Sequence, residues 1–331
     1  MDEARADRDA TAHGSVRAAL ERHQVALYLG AIATGFAVGA LVPGAERLEL
    51  GINAAIALLL YVTFLGIPLT RLARAFRDGR FLLALLAVNF VVVPLVVLGL
   101  SRFVAHDDAL LVGVLLVLLT PCVDYVIVFT ALAGGARERL LAATPLLMIA
   151  QLVLLPGYLV LFAGPAALAV VDAGPFVTAF VVLIVLPLAA AALTQAAMRQ
   201  TPSVRAVAAA GEASMVPLMM VVLFLVVASQ ARLVVDRIGA VAAVVPLYAG
   251  FLVVMAGVGV VAARVARLDV AGARALTFSG ATRNPLVVLP LALALPASLA
   301  LTPAVVVTQT LVELVGMIVY VRLVPRLLPA R

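Results

Sequence analysis

The chain has 331 residues, of which 65% are hydrophobic and 12% charged, and its mean hydropathy is +1.22. Soluble domains carry about 45–50% apolar and about 25% charged residues, so this composition excludes a soluble globular protein and describes a polytopic membrane protein. All positive charge behind the net +6 is arginine; the lack of lysine excludes a Schiff-base lysine and a Walker A loop, and the single cysteine excludes an intrachain disulfide.

Residues 1–24 are polar, carry both signs of charge and lack the apolar stretch of a secretory signal, so a cytoplasmic tail is expected there. From residue 25 onward the chain reads as one membrane domain, 25–331. A membrane-spanning helix needs about 20 apolar residues. Apolar runs between charges and turns predict ten such spans: about 25–43, 50–70, 80–100, 109–134, 140–163, 174–198, 211–230, 239–263, 272–299 and 303–325.

Arginine placement orients them. With the N-terminus inside, Arg5, Arg8, Arg17, Arg22, Arg71, Arg74, Arg77, Arg80, Arg137, Arg139, Arg199, Arg205, Arg264, Arg267, Arg274, Arg322, Arg326 and Arg331 fall on the inner side. Arg47, Arg102, Arg232 and Arg237 fall outside, and Arg283 lies within a span. The positive-inside rule then places both termini in the cytoplasm of a plasma (inner) membrane protein. These arginines occupy short loops between apolar runs, which gives no sign of nucleic-acid binding.

Two predicted spans are interrupted. The fourth contains Thr120-Pro121-Cys122-Val123-Asp124, and the ninth contains Thr282-Arg283-Asn284-Pro285. Charge, amide and proline at bilayer depth are costly, and non-helical backbone there must be buried in protein or line a cavity. Each break falls in the fourth span of its set of five. Five is odd, so a second copy of the set would lie inverted in the membrane. The expected architecture is all-α, with two inverted repeats at about 25–163 and 174–325 and a binding site at the breaks.

The candidate residues cluster at these breaks and in the last span. Asp124 would open the half-helix after the first break, where free N–H groups favour a carboxylate; it reads as a cap or as a proton or cation site. Arg283 could pair with Asp124 or share an anionic or polar substrate with it. Asn284 brings an amide fit for substrate or for released backbone, and Pro285 can begin the following half-helix. Glu313, with Gln309 one turn earlier on the same face, reads as a protonatable carboxyl near the site or as one hydrogen-bonded to a neighbouring helix. Cys122 is either a small hydrophobe or a soft ligand for a metalloid. No histidine is placed to build a metal site, and neither a catalytic constellation nor a cofactor is expected.

These stretches resemble the bile acid:sodium symporter superfamily, and within it the arsenite-efflux permeases. Cys122 followed by a helix closing on Leu132-Ala133-Gly134-Gly135 is similar to the permeases' fourth span. Thr277-Phe278-Ser279-Gly280-Ala281-Thr282-Arg283-Asn284 is similar to their broken ninth span, and Leu311-Val312-Glu313-Leu314 with Tyr320 to their tenth. The resemblance implies that discontinuous helices 4 and 9 cross in a core of helices 3–5 and 8–10, beside a panel of helices 1, 2, 6 and 7. It also puts Cys122 and Glu313 on functional positions. The chain departs from the permeases in having Pro121 before the cysteine, and from the sodium-coupled branch, which coordinates its ions with a glutamate in the ninth span, in offering Ser279 and no carboxylate in that stretch.

The expectation is therefore a secondary transporter exporting arsenite or a related metalloid or small anion. The proposed coupling is by protons on Asp124 or Glu313, with Cys122, Asp124, Arg283, Asn284 and Glu313 contacting substrate. The alternative is a sodium- or proton-coupled symporter of an organic anion.

Overall fold

Every described element is helical, and the one extended pairing among the described residues is an isolated antiparallel bridge between Pro121 and Arg283. The computed structural model describes residues 23, 26–66, 78–123, 125–169, 178, 181–198 and 201–329. Most of the expected tail, the inner segment bearing Arg71, Arg74 and Arg77, and Asp124 lie outside them.

The chain divides into two compact units. One comprises Met1–Gly66 and Val182–Val235, the other Ile67–Val181 and Asp236–Arg331.

The first unit holds α1 (Ala26–Leu41) and α2 (Ile52–Gly66), and later in the chain α8 (Leu186–Ala197), α9 (Pro202–Ala213) and α10 (Met215–Asp236). Gly35 and Gly39 form a small-xxx-small pair on α1. A Cβ at Gly35 would lie 2.9 Å from the Phe224 carbonyl oxygen, and one at Gly39 would meet that of Ala228, so α1 lies backbone-close on α10. Gln195 of α8 donates to the carbonyls of Phe64 and Leu65 at 3.0 and 3.1 Å, satisfying the end of α2.

The second unit holds α3 (Gly79–Ala87) and α4 (Val93–Ser101), joined by a π-helical turn over Val88–Val92, then α5 (Asp108–Leu118), α6 (Tyr125–Leu132) and α7 (Arg137–Ala169). It resumes with α11 (Ile238–Val265), α12 (Val270–Ala281), α13 (Pro285–Leu293) and α14 (Thr302–Leu327). Asp78 and Asp107 cap α3 and α5 by accepting from Phe81 N and from Ala109 N and Leu110 N.

Two proline effects shape this unit. Pro94 has no N–H and crowds the carbonyl four residues back, at Phe90. That carbonyl accepts instead from the Tyr158 hydroxyl of α7. Pro156 acts likewise on Leu152, and α7 bends between Gln151 and Val153.

Five helices among the described residues are long and apolar enough to span a membrane alone, or six if the bent α7 pair counts as one. They coincide with predicted spans two, three, seven, eight and ten, with α7 as the fifth. The predicted fourth and ninth are pairs of short helices, α5 with α6 and α12 with α13, each broken at the polar cluster. The predicted start of span six lies mostly outside the described residues.

Charged groups tie the expected inner ends of the second unit together. Arg139 bridges Asp78 at 3.3 Å and Asp269 at 2.5 Å. Arg274 donates to Ala133 O at 2.9 Å and to Leu328 O from both Nε and Nη2, so it satisfies the C-terminal carbonyls of α6 and α14 together.

Candidate functional site

Each break leaves helix-end N–H and C=O groups without partners inside their own helices. The two breaks satisfy each other. The Cys122 N–H donates to Thr282 O at 3.1 Å, and the Asn284 N–H donates to Thr120 O at 2.8 Å. Together they make the antiparallel bridge between Pro121 and Arg283. Thr120 and Thr282 also turn their hydroxyls back onto the ends of α5 and α12, Thr120 to Leu116 O and Val117 O, Thr282 to Phe278 O.

The residues restarting each chain have defined local roles. Asn284 Oδ1 accepts from Val287 N at 3.2 Å and so caps α13, with Pro285 as its first residue. Its Nδ2 is buried with no hydrogen-bond partner among the described residues. At the far end of α6, Gly134 has φ +66, and the Gly135 N–H returns to Thr130 O at 2.8 Å. A left-handed residue closing a helix favours glycine because a Cβ there clashes.

Glu313 reaches this joint from α14. One carboxylate oxygen accepts from the Tyr125 hydroxyl at 2.6 Å; the other accepts from the Arg283 backbone N–H at 2.9 Å and from Gln309 Nε2. The carboxylate is thus bound to residues of both broken spans. Gln309 Oε1 is buried without a hydrogen-bond partner among the described residues. The Tyr125 hydroxyl also lies 3.0 Å from Arg283 O.

Among the described residues Arg283 is the largest fully buried side chain, at 0% exposure. Nη2 donates to Asn89 Oδ1, Ser279 O and Gly280 O, and Nη1 to Leu118 O. The guanidinium carbon lies 5.6 Å from the Phe251 ring centroid, within cation–π range.

The structure therefore gathers Cys122, Arg283, Asn284 and Glu313 at one joint. Asp124 lies outside the described residues, and so does its expected pairing with Arg283. The Cys122 side chain is buried at the joint. Asn89 and Tyr125 belong to the constellation and were not among the sequence candidates. Their signal was present: Asn89 interrupts the run Leu82 to Val93, and Tyr125 follows the first break directly. The π-turn containing Asn89 sits where such turns often mark functional positions.

Chemically, the joint offers a carboxyl able to hold a proton, two half-helix N-termini that favour negative charge, and two half-helix C-termini that favour positive charge. The model of the Sodium Bile acid symporter family matches residues 54–237, more than half of the chain, a stretch that contains the first break and ends before α11. No curated protein matches the chain.

Proposed function

Because the chain belongs to the sodium bile acid symporter family, we propose that it is a secondary active transporter of a small anionic solute, driven by protons rather than sodium. Glu313 carries this reading. It is a buried carboxyl in an apolar span, held by a hydroxyl of the first broken span and an N–H of the second. A proton arriving there changes hydrogen bonds to both breaks at once. A bound ion couples to conformation only through such differential contacts. Asp124, in the first break, is the second proposed proton carrier.

The solute would sit near the N-termini of α6 and α13, whose dipoles favour an anion. Cys122 and Asn284 would contact it. The terminal nitrogens of Arg283 are engaged by protein oxygens, so Arg283 would shape the joint more than grip the solute. In this reading the chain has ten spans in two inverted repeats with both termini cytoplasmic. The second unit is the moving core and the first unit the panel. The two breaks and the division of residues between the units support that arrangement.

The family's description favours an organic anion. Arsenite export is the second reading, favoured by the thiol of Cys122 lying in the joint, because As(III) seeks soft sulfur ligands.

Reconstituted protein with a trapped pH-sensitive dye tests these readings. A conjugated bile acid and arsenite would each be offered with and without sodium. Solute-dependent proton flux in sodium-free buffer, lost in Glu313→Gln, is expected. Uptake that follows a sodium gradient and moves no protons would overturn proton coupling. Proton flux with arsenite alone, lost in Cys122→Ser, would select the second reading.

A further inference from the structure

At one nitrogen of the Arg283 guanidinium oxygen atoms outnumber hydrogens, while its Nε is buried with no hydrogen-bond partner among the described residues. Nη2 carries two hydrogens, yet Ser279 O, Gly280 O and Asn89 Oδ1 lie 2.7, 2.8 and 3.0 Å from it. Leu118 O lies 3.4 Å from Nη1. Glu313 binds the backbone N–H of Arg283, and no carboxylate among the described residues forms an ion pair with its side chain. Among the described residues, the hydrogen-bond acceptors of this fully buried side chain are all neutral oxygens.

Three of these oxygens share an origin. Ser279 and Gly280 lie in the last turn of α12, and Leu118 is the last residue of α5. Carbonyls at a helix C-terminus lack intrahelical partners and carry the negative end of the dipole. The fourth oxygen comes from Asn89, which is held in place by its Nδ2 donating to Leu85 O and to Ser279 Oγ. Half-helix C-termini converging at a helix break are how transporters hold a small coupling cation.

A sodium ion does not fit there while Arg283 is in place. The four oxygens already face its nitrogens, and a second positive charge beside the guanidinium would be repelled, more strongly in a protein interior than in water. The Ser279 side chain adds a hydroxyl, not a compensating carboxylate.

We propose that the Arg283 guanidinium is a tethered substitute for a coupling cation. It occupies an oxygen cage of Asn89, Ser279, Gly280 and Leu118 that, once vacated, takes sodium or free guanidinium. This rests on the proposed transport function for its meaning, but the cage is testable by stability alone.

The experiment uses the full chain in detergent, melted in millimolar sodium, guanidinium or choline chloride. Wild type is expected to melt identically in all three. Arg283→Ala is expected to melt lower in choline and to gain about 2 °C or more, saturably, in sodium or guanidinium. Adding Asn89→Ala should abolish that gain. An Arg283→Ala protein indifferent to all three salts overturns the proposal. Should Arg283→Ala fail to fold, Arg283→Lys and Arg283→Met decide it. The lysine variant, which keeps a cation, is expected to be the more stable and salt-indifferent; equal instability of the two overturns the proposal. Because no transport is read, failure of the cage and failure of the transport function remain distinguishable.

Discussion

The Tyr125 hydroxyl lies 2.6 Å from a carboxylate oxygen of Glu313, joining the half-helix after the first break to the last span. The same hydroxyl lies 3.0 Å from the Arg283 carbonyl. It has one hydrogen for two acceptors. An ionised Glu313 claims that hydrogen. A protonated Glu313 can donate to the tyrosine oxygen and release the hydrogen to Arg283 O. A proton on α14 is thereby felt by the backbone of the other break.

Tyr125→Phe removes this relay and keeps the ring packed at right angles against Phe129. Stability should fall by about 1.5–3 kcal/mol, since a buried hydrogen bond to a charged group is lost. Proton flux per transported solute should fall further than solute binding does. A thermal melt together with dye-reported flux measures both.

Glu313→Ala should cost more than Glu313→Gln. Alanine leaves the buried Arg283 N–H without this acceptor, at about 1–3 kcal/mol, while the Tyr125 hydroxyl still has Arg283 O within reach. Glutamine keeps an acceptor for one of them, yet carries no exchangeable carboxyl proton. Comparable melting of the two variants would show that the contacts around Glu313 contribute little to the fold.

Gly259 and Gly250 lie on the same helix and should respond oppositely to alanine. A Cβ at Gly259 would lie 2.7 Å from Thr277 Cα, against the backbone of α12, whereas one at Gly250 meets nothing within 4 Å. Overpacking should cost Gly259→Ala about 1–3 kcal/mol. Gly250→Ala should be neutral or stabilising by up to about 1 kcal/mol through helix propensity. Paired melts of the two variants check this.

Arg139→Gln should be mild despite two ion pairs. The arginine and its partners Asp78 and Asp269 are partly solvent-exposed. Such pairs contribute about 0–1 kcal/mol and are screened by salt. The melting difference from wild type should shrink in molar sodium chloride. A loss that persists there would point to packing, including the stacking of Arg139 on Phe81.

Much of the joint was legible in the sequence, because proline, charge and amide inside apolar spans have few physical excuses. Both break positions, Pro285 starting a helix, and Gln309 sharing a face with Glu313 could be read from spacing. The partners could not. Arg283 suggested a partner in Asp124, which lies outside the described residues, or in substrate; that its guanidinium also folds back onto carbonyls three and four residues earlier in its own span could not be read. Helix-end carbonyls are invisible in a residue string, so backbone acceptors were missed as ligands. The missing N–H of Pro94 follows from the residue type, but the Tyr158 hydroxyl that serves the Phe90 carbonyl comes from a neighbouring helix. The spans that are bent or built of two halves fail a length criterion because their helices are interrupted, which the polar clusters of the fourth and ninth already signal.

The bridge between Pro121 and Arg283 is made wholly of main-chain atoms. Its two hydrogen bonds do not depend on which side chains stand at positions 120–122 and 282–284. The joint can therefore persist while its lining is rewritten, and a new solute preference need not be purchased with a new fold. Only the N–H groups of positions 122 and 284 are indispensable. Proline, accepted at 121 and 285 on either flank, is the one residue that both of those positions must refuse.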